Sequence, residues 1–170
     1  MACGLGYAEP ETIEVQIQGD RLSGIVIPVL PRASSINIAG LGAHAWTVDD
    51  TKRLFIERDV VITIGSYTFE SETAVVWINR MPTDAGVVSQ IAVYLPTFAK
   101  SSNRGAFGAA GENLLVVGST LGSVTMEVAL LEQGIPTDEL EVISHAESRL
   151  AGYFLGLVVS TQEISSNPVV

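Results

Sequence analysis

Strict alternation of apolar and polar side chains between Thr12 and Pro96 is the feature that most restricts this chain. A period of two matches the pleat of a β-strand, whose successive side chains point to opposite faces, and does not match a helix. Ile13, Val15 and Ile17 alternate with Glu14, Gln16 and Gln18, and Gly19-Asp20 then marks a turn. Residues 25–30 form a short apolar run broken by Pro28. A proline removes a ladder donor, which puts that strand at an edge or a bulge. Residues 35–39 and 45–48 read as two further short strands, and Asp49-Asp50-Thr51-Lys52 as a polar turn. Five strands follow, at 53–58, 60–64, 67–71, 73–80 and 87–95, separated by Asp59, Gly65-Ser66, Glu72 and the turn from Met81 to Gly86. β-Branched and aromatic residues dominate them, as a pleated and half-buried surface requires.

The alternation also assigns faces. Leu54, Ile56, Val60, Ile62, Ile64, Phe69, Ala74, Val76, Val87, Ile91 and Val93 can share one interior. Val61, Val75, Trp77 and Val88 leave the opposite face more apolar than one-sided burial needs. That second face is therefore expected to meet another sheet layer, another chain or a ligand. Residues 97–111 are rich in Gly, Ala and Ser and read as a linker. Strands resume at 114–117 and 124–131, joined through 118–122. One helix is expected from Thr137 or Asp138 to about Phe154. Pro136 precedes it, its first turn is acidic, and Leu140, Ile143, Ala146, Leu150 and Phe154 form its apolar stripe. The organisation expected is a β domain over 9–132, a helix within 133–156 and a polar tail over 157–170.

Residues 1–8 carry two export-like signals. Gly6-Tyr7-Ala8 puts small residues at the −3 and −1 positions of a signal-peptidase cut, and Ala2-Cys3 resembles the end of a lipoprotein signal. Both readings expect a basic and hydrophobic leader upstream. The alternative is an ordinary unstructured N-terminus. A single cysteine forms no internal disulfide and reports nothing direct about redox compartment.

Composition narrows the function. Only 16% of residues are charged, and the net charge is −10. Nucleic acid is held chiefly by Lys and Arg on phosphates, and the nine bases here are scattered, so nucleic-acid binding is not expected. No metal or cofactor is expected either: the two histidines, His44 and His145, have no second ligand at metal spacing. His145 lies between Glu141 and Arg149 at helical spacing and reads as part of a solvated ladder. His44 reads as a packed or hydrogen-bonded loop residue. Gly105-Ala-Phe-Gly-Ala-Ala-Gly111 lacks the spacing and the Lys-Ser/Thr of a phosphate cradle, and Gly118-Ser-Thr-Leu-Gly122 joins two strands where a nucleophile elbow needs a strand and a helix. Asp49-Asp50 reads as a hairpin tip, and Trp46 and Trp77 as packing residues. No base stands beside a nucleophile, so the chain is not expected to be an enzyme.

The stretch from Arg58 to Trp77 resembles a known repeat. Val60, Ile62 and Ile64 form a short Val-rich strand, Gly65 a turn, Phe69 and Ser71 a second strand, and Glu72, Ala74, Val76 and Trp77 or Ile78 an acidic residue followed by Ala-x-Val-x-aromatic. Over residues 53–95 this is similar to the OstA-like family of periplasmic lipopolysaccharide-transport proteins, which includes LptA, LptC and the N-terminal domain of LptD. Glu72 stands where the family has Asp, Trp77 is out of phase with the usual aromatic, and the linker and helix after Thr97 lie outside the repeat.

The resemblance implies an all-β fold, an antiparallel β-jellyroll or open sandwich, here with one C-terminal helix. It implies an exported module of the periplasm or outer membrane that binds or conducts lipopolysaccharide or lipid between membranes. Ile62, Ile64, Phe69, Val76, Ile91 and Val93 would then line a dry slot for acyl chains. Partners would be those acyl chains, other β-jellyroll envelope proteins paired through edge strands, and further copies of the chain. The alternatives are a purely structural β domain that assembles by its edges, or a carbohydrate-binding module or enzyme using Trp46, Trp77 and Asp49-Asp50.

Overall fold

The computed structural model of the chain describes residues 32–49, 51–102 and 108–165. Among these, six strands precede one helix: β1 (Ile36–Val48), β2 (Thr51–Ile64), β3 (Tyr67–Thr83), β4 (Gly86–Ser102), β5 (Ala109–Thr120), β6 (Val124–Gln133) and α1 (Leu140–Ser165). The expected export signals at 1–8, the strands at 12–18 and 25–30, and Asp50 lie outside the described residues.

The fold is mostly β with one helix near the C-terminal end, as alternation and the helical stripe require. Its six strands form one sheet in the order β5-β4-β3-β2-β1-β6. β1 to β5 are an antiparallel meander, and β6 pairs with β1 in parallel. The sheet is therefore mixed, but four of its five strand pairings are antiparallel, in keeping with the expected antiparallel β fold. The cause of the parallel pair is a crossover at 121–123, which carries the chain from one end of the sheet to the other. There, Arg32 N donates to Ser119 O at 3.2 Å, Leu121 N to Arg32 O at 2.8 Å and Ile36 N to Ser123 O at 2.9 Å. The segment entering β1 thus meets the end of β5, although five strands' worth of chain separates them. Gly122 makes the approach possible, since a Cβ there would lie 2.8 Å from Ser34 O and 2.9 Å from Ala33 O.

Such a meeting needs a strongly coiled sheet, and the packing agrees. All six strands contribute to one inner apolar cluster, from Leu114 and Val116 on β5 to Val124, Met126 and Val128 on β6. The sheet does not close, because β5 and β6 do not pair.

The strands are longer than the sequence predicts. Residues 53–58 and 60–64 are one strand, because Arg58 (φ 61°) and Asp59 (φ 52°) form a bulge in place of a turn. Glu72 likewise sits inside β3, and residues 35–39 and 45–48 belong to β1 apart from Ser35. The predicted linker at 97–111 supplies the last residues of β4 and the first of β5. The helix starts at Leu140, later than expected, and runs through Phe154 to Ser165, into the stretch read as a tail.

Part of the unusually apolar second face is covered by that helix: Val75 and Trp77, with Phe55, Ala92 and Tyr94, pack against Ile143, Ala146, Leu150 and Phe154, whereas Val88 packs separately with Met81 and Val61 lies outside the cluster. Of the predicted stripe only Leu140 stays out, at 53% exposure.

Candidate functional site

Two surfaces could carry function: the inner face of the coiled sheet and the junction of helix and sheet. On the inner face the six predicted slot residues come together. Ile62, Phe69, Val76, Ile91 and Val93 are buried in the inner cluster, and Ile64 packs against it half-buried. Neighbouring registers align them: Ile62 lies opposite Phe69, and Val76 opposite Val93. They form the floor of the interior. Val87, expected to join them, is 46% exposed at the start of β4.

The part of the interior that meets the surface lies elsewhere. Leu114 and Val116 on β5 and Val124, Met126 and Val128 on β6 are all half-buried. They line the seam where the sheet fails to close. Alternation in 114–117 and 124–128 hints that these residues face inward, but only the pairing order reveals that both strands are edges of one interior. A dry, extended aliphatic surface of this kind suits a hydrocarbon chain and needs no polar constellation.

The junction of helix and sheet holds the polar groups. His145, read as part of a solvated ladder, instead turns to the sheet: its Nδ1 lies 2.9 Å from Tyr94 Oη, with the rings edge to face. Tyr94 Oη is also 2.8 Å from Asn113 Oδ1. The phenol has one proton to donate, so it donates to Asn113 and accepts from a protonated Nδ1. Arg149 Nη2 donates to Asn113 O at 3.0 Å. Burial raises the Tyr94 phenol above its ordinary 10.0, and the nearby Arg149 charge opposes that rise. A second latch joins Arg53 on β2 to Glu147 at 2.6 Å. These contacts fasten α1 to β2, β4 and β5.

The remaining candidates have structural settings. His44 lies in β1, not in a loop, with Nδ1 3.5 Å from Glu132 on β6. Trp77 is buried beneath α1 and Trp46 packs at the edge of the same cluster, as packing residues should. Asp49 adopts a left-handed turn with φ 50°. Among the described residues no three His, Cys, Asp or Glu side chains gather as metal ligands would, and no helix is long and apolar enough to cross a membrane.

Comparison with known protein families, with curated proteins and with solved structures finds no match.

Proposed function

We propose that this chain is a cell-envelope β module that takes the acyl chains of lipopolysaccharide, or of a similar lipid, into the interior of its coiled sheet. The observation that carries this reading is the unclosed seam, where five apolar inward-facing residues on β5 and β6 remain half-buried. The resemblance of residues 53–95 to the OstA-like repeat supports the same reading and suggests the periplasm or the outer membrane as its place. The floor residues Ile62, Ile64, Phe69, Val76, Ile91 and Val93, which pack against one another in the inner cluster, would become the deepest contacts when the seam opens, and the seam would be the entry.

Native mass spectrometry after mild extraction tests this directly. The wild type should retain a lipid, and Met126→Glu should lose it with little change in melting temperature, because that side chain is only half-buried. A wild-type chain that carries no lipid and does not crosslink to a photoreactive acyl probe would overturn the proposal.

A second reading has its own observation. β6 carries no Lys, Arg or Pro over Val124–Gln133, and Leu130 and Leu131 near its end are 53% and 46% exposed. Edges of soluble proteins are usually blunted by such residues. A structural domain that assembles by edge pairing would use this strand, bind no lipid, and sediment as a concentration-dependent oligomer.

A further inference from the structure

One end of the interior differs in chemistry from its middle. Follow the inward-facing positions along each strand towards the β3–β4 turn. On β2, Leu54 gives way to Lys52; on β3, Ile78 to Arg80; on β4, Ile91 to Ser89. Register places these side by side: Lys52 lies opposite Ile78, and Arg80 opposite Ser89. Lys52 and Arg80 are thus diagonal neighbours on one face, with Cα atoms roughly 7 Å apart, close enough for both long side chains to reach one anion.

A hollow of about 570 Å³ opens here, lined by Lys52, Arg80, Ser89 and Ser123 together with Ile78 and Val124. The last two also pack against the inner apolar cluster, so the hollow borders the interior. Among the described residues neither Lys52 nor Arg80 has an ion-pair partner. Asp49 and Asp84 occupy turns at the same end but do not line the hollow. In a chain of net charge −10 with only nine bases, two unpaired cations at the mouth of an apolar interior form a local exception to the overall field.

We infer that this mouth is a headgroup site: Lys52 and Arg80 bind the phosphate of an anionic amphiphile whose hydrocarbon chain lies in the interior. Arg80 supplies a planar fork matched to phosphate oxygens, and Lys52 a compact point charge. The hydroxyls of Ser89 and Ser123 add neutral donors. The inference rests on the acyl-binding reading and specifies which class of lipid the interior takes.

Calorimetric titration of the full chain with dodecyl phosphate, dodecanol and inorganic phosphate, each below any micelle concentration, tests it. Dodecyl phosphate should bind at least about tenfold more tightly than dodecanol, as one charge-assisted contact suffices for that ratio. Lys52→Gln with Arg80→Gln should remove the advantage and leave dodecanol binding as it was. Both side chains are exposed, so the fold should survive, and an unchanged melting temperature verifies this. Equal binding of dodecyl phosphate and dodecanol by the wild type would overturn the headgroup site and leave acyl binding standing. Inorganic phosphate binding as tightly as dodecyl phosphate would show an anion site unconnected to the interior, and would also overturn it. Failure of both dodecyl compounds to bind would overturn the acyl-binding reading itself.

Discussion

Tyr94 is the residue on which helix and sheet most plainly depend. Its ring is buried, and its hydroxyl holds both His145 on α1 and Asn113 on β5. Burial keeps the phenol protonated in the folded chain after the unfolded chain has lost its proton. The stabilisation is therefore complete below pH 10.0 and declines as pH rises above that value. Denaturant titrations of wild type and Tyr94→Phe from pH 8 to pH 11 should diverge at the alkaline end, the variant showing the shallower loss. Gly122 is constrained by space, not by charge. Gly122→Ala would drive a Cβ into the carbonyls of Ala33 and Ser34, and a cost of about 2 kcal/mol in urea denaturation is expected. Residues such as Trp77 and Ile91 were legible in the sequence, because alternation alone tells which side of a strand is buried. The role of His145 was not: its partner lies 51 residues away, and nothing in the helical spacing of Glu141, His145 and Arg149 points to it.

At the scale of elements, the sequence shows which stretches are strands and hides where strands end. A polar residue such as Glu72 resembles a turn in a linear reading, yet β3 runs on through it, with Ser71 and Thr73 on either side paired to β2. Arg58 and Asp59 mislead in the same way, since a bulge interrupts the pattern without ending the strand. The helix was visible through its apolar stripe, but what it covers became clear only from the packing of Phe55, Val75, Trp77 and Tyr94. Leu150→Ala should therefore cost about 3 kcal/mol in thermal or urea unfolding, as for a truncated core side chain. Leu155→Ala, five residues on and 68% exposed, should change stability by less than about 0.5 kcal/mol. Equal effects from the two would mean that α1 does not pack as described.

Seen as a whole, the molecule has a sealed floor and an unsealed seam. The sequence legibly supplied the floor, because those residues alternate within single strands. The seam depends on which strands are edges, and that is a property of strand order, which no local pattern encodes. Val76 is fully buried, so Val76→Phe should destabilise the chain by about 2 kcal/mol by overpacking, measured by urea denaturation. Leu131→Lys should leave stability nearly unchanged and abolish any self-association seen in sedimentation, since a lysine on an edge opposes pairing. The parallel pairing of β1 with β6 also has a bearing on time. Asn37 and Thr125, hydrogen-bonded across it, are 88 residues apart in the chain, whereas β2 and β3, and β3 and β4, are joined through two-residue turns. Contacts so distant in sequence form late, and a strand held on one side alone opens at low free energy. Amides of β6 should accordingly exchange with deuterium well before those of β3. The meander can then persist as a folded trough while its last strand swings away, so a guest could enter and leave without the rest of the chain unfolding.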